Sequence, residues 1–182
     1  MIYENIQGWF NYEGFYDMMI DRFDKGIFVE IGAWKGRSAC YMGEKIKESG
    51  KRISYYVVDN FKGNPGSELH SNDPDIINGT LKETFLRNTE SLRDYYIRLM
   101  EGDSGIMHEH FRDKTISFLF VDGDHSYKAV KSDIQLWLPK MKDNGVISGH
   151  DYDNPEVKRA VDELFPERKI WGEGCLIWYV EL

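Results

Sequence analysis

Two short segments rich in acid and histidine, Asp122-Gly123-Asp124-His125 and Gly149-His150-Asp151-Tyr152, each follow a run of apolar residues. Those runs, Ile116 to Val121 and Val146 to Ser148, have the composition of buried strands, so both segments fall at the same end of neighbouring strands. There Asp122, His150 and Asp151 can converge as two oxygen ligands and one imidazole. Such a set suits Mg²⁺, Mn²⁺ or a related divalent ion with positions left open for water or substrate. A cation in that place lowers the pKa of a bound hydroxyl. Asp124 or His125 stands close enough in sequence to act as a general base. Single acids in such places are usually helix caps, and single histidines are usually structural. The occurrence of two clusters together is what gives the reading weight.

A third segment, Glu30-Ile31-Gly32-Ala33-Trp34-Lys35-Gly36-Arg37-Ser38, begins at the end of the run Ile27 to Ile31. Gly32 allows a tight turn off a strand, and Gly36 is expected to bring the next helix close to a ligand. The spacing is not the Gly-x-Gly-x-x-Gly that cradles a pyrophosphate. Glu30 beside the turn would repel phosphate and attract a cation or an amino group. Asp59 ends the next apolar run, where such folds place an acid on a ribose hydroxyl pair. That position suits either a nicotinamide or an adenosyl ligand. Asp103-Ser104, after the run Ile97 to Met100, is placed to meet an adenine amino group. Trp9, Phe10, Tyr12, Phe15 and Tyr16 read mainly as packing that can also wall one side of a cleft. His70, His108 and His110 read as loop or solvated residues. Cys40 and Cys175 lack the neighbours of a nucleophile.

Positioning these residues requires alternating strands and helices. Helical spacing is expected over 38–49, 80–92 and 127–137, with an aromatic amphipathic helix over 10–23. Asn154-Pro155 starts a further helix as N-cap and first helical residue. Asp143-Asn144-Gly145 reads as a turn, and strands are expected near 169–171 and 175–180. Residues 62–79 are rich in Gly, Pro, Asn, Ser and Asp and read as a long loop over the site. This alternation predicts an α/β architecture, a doubly wound parallel sheet with helices on both faces. Ligands of such sheets lie beyond the carboxyl ends of the strands, which is where the unusual acids fall.

Composition narrows the classes of function. The chain has 182 residues, 41% hydrophobic and 14% aromatic, enough for one domain with a real core. A net charge of −8 without a basic run argues against nucleic acid or anionic membrane as partner. No apolar stretch approaches the ~20 residues that cross a bilayer. The N-terminus lacks the pattern of a signal peptide. Two distant cysteines fit a reducing cytoplasm better than a disulfide scaffold.

The segments 28–38, 120–127 and 146–152 together resemble the motifs of class I S-adenosylmethionine-dependent methyltransferases. Asp122-Gly123-Asp124-His125 with Gly149-His150-Asp151-Tyr152 is similar to a branch of small cation-dependent O-methyltransferases, the macrocin, aminocoumarin and catechol relatives. The resemblance implies a Rossmann-like sheet of seven strands, order 3-2-1-4-5-7-6, with the last strand antiparallel. It implies a single methyltransferase domain over 1–182, with an N-terminal helical segment over 1–25 and an active-site loop over 62–79. The implied cofactor-binding residues are Glu30, Gly32, Trp34, Gly36, Ser38, Asp59, Asp103, Ser104 and Asp122. The implied metal positions are Asp122, His150 and Asp151. Histidine stands there in place of an aspartate or asparagine. The sugar and aminocoumarin branch makes Asp124 the base, whereas His125 occupies the position of a lysine in the catechol branch.

The expected reaction is direct displacement of the sulfonium methyl by a hydroxyl of a small sugar, polyol or phenol, assisted by Mg²⁺ or Mn²⁺. A homodimer is admissible. Two other readings compete: an NAD(P)-dependent oxidoreductase and a non-catalytic binding protein of the same fold. Against the former stand the missing third glycine, the acid at Glu30 and the lack of a Tyr-x-x-x-Lys pair.

Overall fold

A computed structural model describes residues 2–64, 66–172 and 176–182. Seven strands form one sheet: β1 (Lys25–Ile31), β2 (Arg52–Asp59), β3 (Arg98–Glu101), β4 (Ile116–Val121), β5 (Met141–Gly149), β6 (Lys169–Trp171) and β7 (Ile177–Glu181). Their order is β3-β2-β1-β4-β5-β7-β6. Pairing is parallel from β3 through β5, while β7 runs antiparallel to both β5 and β6. The expected order and the reversed last strand are both present. Cys175 lies outside the described residues.

The helices are α1 (Glu13–Arg22), α2 (Arg37–Ser49), α3 (Glu68–Ser71), α4 (Pro74–Asn78), α5 (Leu81–Asn88), α6 (Ser104–Met107), α7 (Tyr127–Trp137) and α8 (Pro155–Leu164). Strand alternation divides the core into two layers. Phe28, Tyr55, Phe118 and Phe120 pack with Phe15, Tyr16, Met19, Met42 and Ile46 of α1 and α2. Val29, Leu119, Val121 and Ile147 pack with Val130, Ile134, Trp137, Val157 and Val161 of α7 and α8. Strands buried on both faces explain why β1 and β4 read as continuous apolar runs.

The structure differs from the sequence expectations in four places. Residues 62–79 are not a structureless loop. Their polar composition supplies caps for α3 and α4: the Ser67 side chain accepts from the His70 N–H, and Asp73 accepts from Asp75 N–H ahead of Pro74. The helix expected over 80–92 covers only Leu81–Asn88, and the one expected over 10–23 covers Glu13–Arg22. Asp143-Asn144-Gly145 does not end a strand. Ile116 pairs with Met141 and Phe118 with Val146, so these residues form an insertion within β5.

Candidate active site

The chain leaves β1 toward β2 on one side and continues at β4 on the other, so the carboxyl ends of β1 and β4 mark the topological switch point. The turns there are tied together by backbone hydrogen bonds. Gly32 N–H donates to Val58 O at 2.9 Å, and Asp122 N–H donates to Ile31 O at 2.8 Å. Asp59 reinforces the turn, with its carboxylate accepting from Ala33 N at 2.7 Å, Trp34 N at 3.2 Å and Phe61 N at 2.7 Å. Burial pushes this carboxyl above the usual range, while those three donors pull it back.

Two cavities open above the switch point. The first, about 300 Å³, is lined by Asp59, Asp103, Ser104, Asp124 and Asp133, with Lys62 and Asn64 of the 62–79 segment. The second, about 230 Å³, is lined by Trp9, Arg37, Ser38, Leu69, His125, His150 and Asp151. They share Gly32, Trp34, His70, Asp122 and Gly123. A ligand reaching from one cavity to the other therefore passes Asp122.

In the second cavity the acids and imidazoles cluster closely. His125 Nε2 lies 3.2 Å from Asp151 Oδ2 and 3.6 Å from Asp122 Oδ1. His150 Nδ1 lies 3.0 Å from Asp151 Oδ2 and 3.9 Å from Asp122 Oδ1. Burial alone lowers the pKa of an imidazole. Here the neighbouring carboxylates outweigh it, so His125 is raised and His150 reaches about 9. The donor atoms of Asp122, His125 and Asp151 all lie within 4.8 Å of one another. The imidazole brought into the three-residue set is thus His125, whereas the sequence reading used His150. His150 is turned so that Nδ1 meets Asp151, and its ring lies 5.1 Å from that of Tyr12. Tyr12 OH donates to Asp122 Oδ2 at 3.4 Å.

The other site candidates separate clearly. Gly32, Trp34, Ser38, Asp59, Asp103 and Ser104 line one or both cavities. Gly36 and Glu30 line neither. Gly36 is held against α5, where an added Cβ would sit 3.0 Å from Thr89 Cγ2 and 3.1 Å from Phe85 Cδ2. Packing against α5, together with a left-handed backbone at φ +89, favours glycine there. Asp124 lines the first cavity only; it is exposed and accepts from Ser126 N at 2.7 Å at the start of α7. Glu30 shares the strand face of Phe28 and is buried in the α1–α2 layer, where Ser38 and Tyr55 hydroxyls donate to its two oxygens.

Burial pushes the Glu30 carboxyl up to about 7, against the lowering by Ser38 and Tyr55. Between its ordinary value of 4.5 and about 7, the folded chain holds a proton that the unfolded chain has already released. Stability therefore falls as pH rises through that window. Glu30→Gln should remove this slope and leave the variant roughly 2 kcal/mol less pH-sensitive than wild type across it. Thermal unfolding at about pH 5 and about pH 8 reads the difference.

Asp133, His70 and Arg37, given no role from sequence, are among the residues that line the cavities. Asp133 on α7 is 5% exposed, accepts a 2.5 Å hydrogen bond from Ser104 Oγ, and is pushed up to about 6 by burial. An acid on the apolar face of Val130, Ile134 and Trp137 was the available signal. His70 stacks on Trp34 at 4.1 Å and on Trp9 at 5.3 Å, and its Nδ1 accepts from Asn64 N at 2.9 Å. No sequence pattern announced it. Arg37 was visible inside the glycine segment.

The segment carrying His70 is pinned by Lys35, whose Nζ lies 2.8 Å from Asp73 and 2.9 Å from Asp75. Lys35→Met should loosen α3 and α4 by about 2 kcal/mol, giving amide exchange roughly 30-fold faster across 67–79. Exchange unchanged there would mean that the aromatic stack alone holds the segment.

A seven-stranded sheet of this order, with paired cavities at its switch point, defines a Rossmann-like fold of the methyltransferase class. The chain belongs to the methyltransferase-domain family, whose pattern matches residues 29–152. It is similar to the O-methyltransferase NovP, with 22% identity and a TM-score of 0.72 over 93% of this chain and 76% of that one. It is similar as well to CalS11, a TDP-rhamnose 3′-O-methyltransferase of calicheamicin biosynthesis, with 16% identity and a TM-score of 0.66 over 93% and 78%. Spermidine synthase from Thermotoga maritima shares the fold at 13% identity and a TM-score of 0.57, over 94% and 60%. Among curated proteins, the uncharacterized protein y4gI of Sinorhizobium fredii (strain NBRC 101917 / NGR234) is 22% identical over 166 residues, 85% of this chain. The chain spans 17% of the length of that relative. Among the described residues no helix is long and apolar enough to cross a membrane.

Proposed function

We propose that the protein transfers the methyl group of S-adenosylmethionine to a hydroxyl oxygen of a small molecule, with a divalent cation at Asp122, His125 and Asp151. The observation that carries this reading is the junction of two cavities at Asp122, beside a carboxylate–imidazole set whose donor atoms lie within 4.8 Å. Family membership supports the methyl donor, and the names of the two O-methyltransferase neighbours support oxygen as the acceptor atom.

Two carboxylates and one imidazole fit an ion that prefers oxygen and nitrogen donors. When bound, such a cation lowers the pKa of an acceptor hydroxyl. The chain's own residues do the rest. Asp59, Asp103 and Asp133 present acceptors to the hydroxyls and amino group of an adenosine in the first cavity. Trp9, Trp34 and His70 provide flat surfaces around the acceptor in the second. Holding the two reactants in line across Asp122 supplies most of the rate. The acceptor oxygen bonds to the methyl carbon, the carbon–sulfur bond breaks with its electrons going to sulfur, and the hydroxyl proton leaves to a base. Of the two bases considered from sequence, His125 faces the acceptor cavity and Asp124 the nucleotide cavity. His125 is therefore the one placed to take a proton in transfer that proceeds without a cation.

Turnover should fall to background in excess chelator and return with Mg²⁺ or Mn²⁺. Full activity in chelator removes the cation and leaves the His125-only route.

A further inference from the structure

The second cavity contains one guanidinium that nothing above employs. Arg37 is the first residue of α2 and, among the described residues, the only lysine or arginine lining that cavity. Its Nη1 donates to Gly8 O at 2.8 Å. Its Nε is buried and finds no acceptor in the protein. Among the described residues Arg37 forms no ion pair, and Nη2 donates to no protein acceptor. The neighbouring cation contrasts with it: Lys35 is neutralised by Asp73 and Asp75. Half-burying a charge without a partner is unfavourable, and a guanidinium with one amino group engaged still offers donors to a planar anion. The same cavity is lined by the carboxylates of Asp122 and Asp151. It therefore combines acidic groups with one guanidinium, and the stacked Trp9, Trp34 and His70 rings also belong to its lining.

We propose that Arg37 binds a carboxylate of a molecule occupying the second cavity. The proposal rests on the methyl-transfer reading, because two reactants then meet in that cavity and either can carry the carboxylate. It belongs to the amino-acid end of the methyl donor if that end crosses from the first cavity past Asp122. It belongs to the acceptor if the acceptor is a hydroxy acid whose hydroxyl lies beside Asp122 and Asp151. The α2 N-terminus adds its own positive field in the same direction.

The two sources separate by calorimetry with four probes. S-Adenosylhomocysteine carries the amino-acid carboxylate, and 5′-methylthioadenosine is the same thioether nucleoside without it. 3,4-Dihydroxybenzoate carries a carboxylate, and catechol does not. The variant is Arg37→Gln, which can keep a donor for Gly8 O while losing the charge. Arg37→Lys tests rescue by charge. Unfolding midpoints show whether either change acts only by loosening the N-terminal segment.

If the carboxylate is the donor's, Arg37→Gln weakens S-adenosylhomocysteine by about ten-fold or more and leaves 5′-methylthioadenosine unchanged. If it is the acceptor's, 3,4-dihydroxybenzoate weakens by a similar factor, and catechol and S-adenosylhomocysteine do not. Arg37→Lys recovers part of the loss in either case. Equal affinities in wild type and Arg37→Gln for both carboxylate probes overturn the proposal, as does equal weakening of all four. So does a wild-type chain that binds neither carboxylate probe. Failure of wild type to bind either adenosine probe counts against the methyl-transfer reading instead, and the dihydroxybenzoate and catechol pair then decides the role of Arg37.

Discussion

Asp122→Ala should weaken Mn²⁺ binding by about 10–100-fold and lower methyl transfer by about two orders of magnitude or more. Among the described residues, Asp122 is the one carboxylate that borders both cavities. Its Oδ1 faces His125 and His150, and its Oδ2 receives the Tyr12 hydroxyl. On the methyl-transfer proposal, removing it takes one of two carboxylates from the cation set and opens the wall where the two reactants would meet. The fold should tolerate the change, because the backbone N–H of residue 122 still donates to Ile31 O and the lost Tyr12 contact is long, at 3.4 Å. Paramagnetic resonance of free Mn²⁺ measures the affinity, and thermal unfolding monitors the fold. An unchanged Mn²⁺ affinity would take Asp122 out of the cation set.

Gly32→Ala acts through the fold and should cost about 4 kcal/mol, lowering the unfolding midpoint by roughly 10 °C. Gly32 has φ +85, and a Cβ there would lie 2.1 Å from Asp122 O, 2.6 Å from Asp122 C and 2.9 Å from Gly123 Cα. All three are backbone atoms of the strand end that carries the site, so no side chain can swing away. Gly50 makes the control: its φ is +64, but nothing lies within 4 Å of an added Cβ. Gly50→Ala should cost only about 1 kcal/mol, from backbone strain alone. If the two substitutions were equally mild, the close approach of the β1 and β4 turns would not be what holds the cavity junction together.

The centre of the sheet was legible because β1 and β4 are buried on both faces and therefore read as apolar runs, whereas the edge strands β3 and β6 are largely exposed and gave a weaker signal. Strand order and the reversed last strand came from the resemblance of three motifs, since no local pattern specifies which strand lies next to which. Residues 62–79 were misread because Ser67, Asp73 and Pro74 are turn formers and helix caps alike, and only tertiary anchoring by Lys35 decides between the roles.

Within the site, the positions at strand ends were legible, but the directions of side chains were not. Glu30 follows the alternation of β1 into the α1–α2 layer and ends on Ser38 and Tyr55, away from the cavities. Asp124 and His125 are adjacent in sequence, yet one faces each cavity, and no spacing rule distinguishes them. Asp133 could have been found as a lone acid on an apolar helix face. His70 could not, because its role depends on stacking between Trp34 and Trp9 across long stretches of chain.

If the protein transfers methyl groups from S-adenosylmethionine, its two joined cavities hold an adenosyl methyl donor. Titrating the protein with S-adenosylhomocysteine and separately with NAD⁺, in wild type and Asp59→Ala, tests it most directly. The expected result is one S-adenosylhomocysteine per chain, weakened by Asp59→Ala, and no binding of NAD⁺. Saturable binding of NAD⁺ with none of S-adenosylhomocysteine would contradict it.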